Sequence, residues 1–197
     1  LVSFTASISP QPTDALLIVD VQRDFLAGGA LAVPAAETVI APLNAWIAQF
    51  VAARLPVFAT RDWHPPDHCS FRAQGGDWPE HCVAGTPGAQ FPAVLDLPAT
   101  TQVISKETQS DADSYSGFAA TDLHQQLQRL GVRRLFVGGL ATDYCVRHTV
   151  LDALRLGYGV ILLLDGMRPV DLRIGDGERA IAAMLAAGAS TATGPHR

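Results

Sequence analysis

Cysteine is scarce in this sequence: three residues among 197, an odd number without the spacing of a disulfide framework. That excludes a disulfide-stapled scaffold and argues for a reducing compartment, so a cytoplasmic location is expected. Basic residues are few as well. Fourteen Lys and Arg stand against nineteen Asp and Glu, a formal net charge of −5, and no basic run occurs. Nucleic acid and anionic membrane are therefore not expected partners. Long apolar runs are missing, so no segment reads as a membrane span. The opening residues lack the basic start and long apolar core of a secretory signal. The first residue is Leu1 rather than Met, so the natural N-terminus is expected to lie upstream.

What remains is an ordinary globular composition, 48% hydrophobic and 17% charged, with enough residues for one domain and a sizeable core. We expect a single domain over 1–197, with a loose lead-in at 1–13 and a polar tail at 190–197 that frays. Between these, apolar runs alternate with helical patterns. Residues 15–20 read as a buried strand ending in Asp20. Apolar residues at helical spacing over 35–53 (Val39, Leu43, Trp46, Ile47, Phe50) predict an amphipathic helix, with Pro34 at its start. Strands are expected at 55–62, 101–106, 132–137 and 160–164, the last running into Asp165. Helices are expected at 116–130, 143–156 and 176–187, each stopped by a glycine. The stretch 63–99 is rich in Pro, Gly, His and Trp and has no period. A loop of that length inside a compact domain is usually functional. Continuous apolar strands alternating with helices imply an α/β fold, a parallel sheet covered on both faces. Ligands then gather beyond the carboxyl ends of the strands.

At those ends stand Asp20, Asp62, Lys106 and Cys145. Cys145 follows a strand, two glycines and a turn, and is expected in the first turn of a helix, where backbone N–H groups favour a thiolate. An acid, a lysine and a cysteine make coherent chemistry. The ammonium favours the thiolate, and Asp20 receives the thiol proton and later returns it to a leaving amine. The N–H groups of Ala141 and Cys145 are the candidate oxyanion donors. Each residue also has a plainer reading: a buried structural cysteine, a turn-capping aspartate, a solvated lysine.

A second signal is Asp62-Trp-His64, followed by His81 from the long loop. Two residues apart on an extended strand, Asp62 and His64 can face one ion, and His81 can supply a third ligand. Imidazole and carboxylate suit one divalent ion, Zn2+ first, with Fe2+ or Mn2+ as alternatives. A zinc staple using Cys69 and Cys82 ranks below this site, for want of paired-cysteine spacing. His124, His148 and His196 read as surface or helix-face residues. The aromatic residues Phe25, Trp78 and Tyr115 lie near these motifs and could sandwich a flat ring.

These segments together resemble the nicotinamidases (pyrazinamidases) of the isochorismatase-like cysteine hydrolase superfamily. The match runs from Ala15 to about Ser190. It is carried by Ile18-Val-Asp20-Val-Gln-Arg-Asp-Phe25, Asp62-Trp-His64-Pro-Pro, Trp78-Pro-Glu-His81-Cys, Lys106 with Tyr115-Ser-Gly-Phe, and Gly139-Leu-Ala-Thr-Asp-Tyr-Cys145-Val. The resemblance implies a three-layer fold with a six-stranded parallel sheet between helices. It implies a catalytic Asp20–Lys106–Cys145 triad, a metal on Asp62, His64 and His81, and a pyridine ring held by Phe25, Trp78 and Tyr115. It also implies a cis peptide at Leu140–Ala141 and hydrolysis of nicotinamide to nicotinate and ammonia, as in NAD salvage. His68 stays off the ligand list, because Pro65-Pro66 stiffens its short link to His64. Other readings are a metal-water hydrolase with a structural Cys145, and a catalytically idle binding scaffold. The oligomeric state stays open, a homo-oligomer included.

Overall fold

Each apolar run becomes a strand because its side chains have a layer to enter on both sides. The structure, a computed structural model, describes residues 8–192. The first seven residues of the expected lead-in, His196 and the rest of the tail beyond 192 lie outside the described residues. The strands are β1 (Asp14–Val19), β2 (Val57–Asp62), β3 (Gln102–Lys106), β4 (Arg134–Leu140), β5 (Gly159–Arg168) and β6 (Ser190–Ala192). They form one parallel sheet of six in the order β3-β2-β1-β4-β5-β6. The α-helices are α1 (Ile40–Ala52), α2 (Leu123–Arg129), α3 (Arg147–Arg155) and α4 (Asp176–Ala186).

Alternation along β1 builds both halves of the core. Leu16 and Ile18 join Trp46, Phe50 and Phe136 on the α1 side. Ala15, Leu17 and Val19 join Leu127, Val150 and Met184 on the side of α2, α3 and α4. This is the expected three-layer α/β/α architecture. At the entry to β1, buried Asp14 takes a two-pronged bond from Arg134 of β4, at 2.9 and 2.6 Å. The strand order reverses between β1 and β4, so a crevice opens there, past their carboxyl ends.

Five expectations are corrected. The tail at Ser190 does not fray: β6 pairs with β5, Ile161 facing Ser190 and Leu163 facing Ala192. Its small polar residues suit an edge strand, a weak signal in sequence. β4 runs on through Gly138, Gly139 and Leu140, and β5 follows it to Arg168. At Gly139 φ is +126°, and a Cβ would sit 2.0 Å from the Val19 carbonyl oxygen. Glycine here is the condition for β4 to lie against β1. The helix expected over 116–130 is α-helical only from Leu123, because Gly117 and Thr121 are engaged in a turn: Gly117 N donates to Thr149 Oγ1, and Thr121 Oγ1 to the Gly117 carbonyl. The helix expected at 35–53 starts as a 3₁₀ turn, Ala36–Val39, before α1. The helix expected from 143 begins as a π turn, Thr142–Val146, and becomes α3 only at Arg147.

Candidate active site

The strand register places the first charged pair. Asp62 and Lys106 end β2 and β3 side by side. Lys106 is buried, not the solvated lysine of the plainer reading. Its Nζ forms an ion pair with Asp62, lies 3.2 Å from Asp20 Oδ2, and approaches Cys145 Sγ at 3.6 Å. Asp20 follows β1 directly, in the left-handed backbone region at φ +49°. Its Oδ1 accepts a hydrogen bond of 2.6 Å from Thr60 Oγ1. The structure thus brings Asp20, Lys106 and Cys145 together, and Asp62, the fourth residue expected at the strand ends, joins them through Lys106.

Burial sets the charges here. It pushes the Asp20 carboxyl up to about 6, against the pull of the neighbouring ammonium. It also pushes the Cys145 thiol well above its ordinary range, with Lys106 pulling the other way. Of the two influences expected to favour a thiolate, the helix start and Lys106, Lys106 is the one that acts against burial here. Cys145 sits in the short π turn, and the proton stays on sulfur until a base takes it. For Lys106, burial lowers the ammonium's pKa, but Asp20 and Asp62 outweigh burial and hold it firmly protonated.

Asp62, His64 and His81 each bring one ligand atom within 4.8 Å of the others. His64 Nδ1 donates to the His81 carbonyl at 3.0 Å, and His81 Nδ1 donates to the Pro79 carbonyl at 2.8 Å. The His81 ring is thereby left with Nε2 free to meet an ion, and His64 Nε2 points at Glu107 Oε2, 2.9 Å away, where an ion would replace its proton. The donor set fits a divalent cation. His68 groups with His64 and Glu107, not with Asp62 and His81. Its Nε2 donates to the Ala112 carbonyl at 3.0 Å, and its Nδ1 lies 2.8 Å from Ser70 Oγ. Among the described residues, no candidate metal group includes Cys69 or Cys82. All three cysteines are free.

The pocket between these two clusters is lined by Phe25, Trp78, Tyr115, Tyr144, Ala141 and Cys145, among others. Trp78 Nε1 donates to Tyr115 Oη at 3.0 Å, and Tyr144 packs edge-on against Trp78 with ring centroids 5.2 Å apart. The peptide between Leu140 and Ala141 is cis, as the resemblance implies.

Three residues passed over in sequence hold the frame. Gln22 is fully buried. Its side chain donates to the carbonyls of Asp62 (2.8 Å) and Ala89 (2.9 Å) and accepts from Asp62 N (2.8 Å). Asp24 Oδ2 accepts from Cys82 N at 2.8 Å and so fastens the loop bearing His81. The Asp143 carboxylate accepts from Val170 N and Asp171 N, both at 2.9 Å, which ties the turn of Cys145 to the loop after β5. Gln22 and Asp24 lie inside the motif around Asp20, but their partners are dozens of residues away, so spacing could not find them.

The chain is similar to known proteins along most of its length. The nicotinamidase of Escherichia coli K12 is 40% identical over 92% of this chain and 95% of its own length. A crystal structure of the pyrazinamidase of Pyrococcus horikoshii in complex with zinc is 47% identical, with a TM-score of 0.88 over 92% of this chain and 99% of the other. PnC1 from L. infantum in complex with nicotinate is 39% identical, with a TM-score of 0.89 over 95% of this chain and 96% of the other. The isochorismatase domain description matches residues 14–194, and the chain belongs to that family.

Proposed function

We propose that this protein is a nicotinamidase, an amidohydrolase that converts nicotinamide and water to nicotinate and ammonia and also accepts pyrazinamide. One observation carries the reading: Lys106 Nζ lies within reach of Asp20, Cys145 and Asp62 together, so the nucleophile cluster adjoins the candidate metal ligands. The similar proteins named above support the substrate. A flat pyridine ring suits the slot between Phe25, Trp78 and Tyr115, with Tyr144 closing it.

In this reading Cys145 Sγ attacks the amide carbon, and its proton passes to Asp20, whose pKa near 6 suits both taking and returning a proton near neutrality. Lys106 stabilises the negative charge on sulfur and carboxylate while the proton moves. The N–H groups of Ala141 and Cys145 hold the developing oxyanion. Asp20 then protonates the leaving nitrogen, and ammonia departs. Asp20 next takes a proton from water, which attacks the thioester and releases nicotinate. A divalent ion on Asp62, His64 and His81, Zn2+ by preference with Fe2+ or Mn2+ as alternatives, would act as a Lewis acid toward the ring nitrogen and orient the ring. The free cysteines suit a cytoplasmic enzyme, and the reaction is that of NAD salvage.

The test is ammonia release from nicotinamide by Cys145→Ala. Turnover should fall at least about a thousandfold, with melting temperature and metal content unchanged. Retained turnover would refute the mechanism.

A further inference from the structure

Glu107 has no part in the mechanism above, yet it occupies an unusual position. Its backbone is left-handed at φ +57°, where glycine would sit without strain and glutamate does not. Its side chain is only 4% exposed and turns into the catalytic pocket. Oε1 accepts from Ser114 N at 3.2 Å, which leaves Oε2 2.9 Å from His64 Nε2. That is the nitrogen left for an ion once His64 Nδ1 is spent on the His81 carbonyl.

Charge balance points the same way. Lys106 Nζ is ringed by three carboxylates, those of Asp20, Asp62 and Glu107, the last at 3.7 Å. In the metal-free protein His64, ion-paired with Glu107 at 2.9 Å, is the further positive partner that these acids require. A divalent cation on His64 Nε2 would displace the proton there and take over its role as counter-charge to Glu107.

We propose that Glu107 is an additional carboxylate of the metal centre, meeting the ion through Oε2 beside His64 Nε2. The proposal rests on the reading of Asp62, His64 and His81 as the ion's site, and the experiment separates the two. Full-length protein is stripped of metal and titrated with Zn2+ and with Mn2+ against a chelating dye, for the wild type, Glu107→Gln, Glu107→Gly and His81→Ala. The melting temperature of each metal-free protein is recorded alongside. Both Glu107 variants should bind both ions at least about tenfold more weakly, with metal-free melting temperatures close to wild type. Glu107→Gly serves as the second variant because glycine relaxes the left-handed backbone while removing the carboxylate. Wild-type affinity in both Glu107 variants, with binding lost in His81→Ala, would overturn the role of Glu107 alone. Wild-type affinity in His81→Ala would overturn the site itself. Weaker binding that merely follows a large fall in metal-free melting temperature would make Glu107 a structural prop and also overturn the proposal.

Discussion

Lys106 Nζ faces Asp20, Asp62, Cys145 and Glu107 at once, and it is the positive group that Asp20 and Asp62 share. Lys106→Met would leave buried carboxylates without a counter-charge. We expect a stability loss of about 3–5 kcal/mol, measured by urea denaturation, together with loss of ammonia release. Gln22 acts differently, since it touches no reacting atom. Gln22→Leu fills a similar volume but leaves the Asp62 N–H, the Asp62 carbonyl and the Ala89 carbonyl without their side-chain partner. Each deserted buried group costs about 1–3 kcal/mol. Unfolding should come at clearly lower urea, and metal affinity should weaken as Asp62 loosens. Unchanged affinity in a stably folded variant would limit Gln22 to supporting the fold.

Among the elements, β4 carries the strictest demand. Gly139→Ala would drive a methyl group to within 2.0 Å of the Val19 carbonyl oxygen, at a φ that alanine avoids. We expect a loss of more than about 3 kcal/mol, seen as insoluble or readily unfolded protein. Gly28, also at positive φ but with open space around it, is the internal contrast and should tolerate alanine far better. The same contrast explains what sequence could reveal. Asp20, Asp62 and Lys106 were legible because each closes a buried apolar run, and a parallel sheet brings such ends to one rim. Cys145 was legible from the glycines and turn before it, but its π turn was not, since that depends on local backbone bonding such as Val146 N to the Ala141 carbonyl. β6 was hidden because three small residues, Ser190, Thr191 and Ala192, owe their strand to β5. Glu107 and Tyr144 were hidden because each sits beside a recognised residue and acquires its role only through contacts from other loops.

The molecule as a whole places its chemistry where the strand order turns. Asp20 leaves β1 and Cys145 follows β4, the two strands flanking that point, while β2 and β3 deliver Asp62 and Lys106 alongside. The long loop after β2 then closes over the rim with His81 and Trp78. Because the proposed ligands of the ion come from the end of β2 and from this loop, metal binding should stabilise the fold beyond its effect on turnover. Stripping the ion with a chelator should lower both ammonia release and melting temperature. At an ion concentration 100 times its dissociation constant the difference is about 2.7 kcal/mol. An unchanged melting temperature would show that no ion binds the folded chain there. The covalent route itself is reached most directly by acid-quenching the enzyme during turnover of nicotinamide and weighing its peptides. A nicotinoyl group on the peptide containing Cys145, absent in Cys145→Ala, is the result expected. Full turnover without any acyl group on Cys145, or with the group on another residue, would contradict the account.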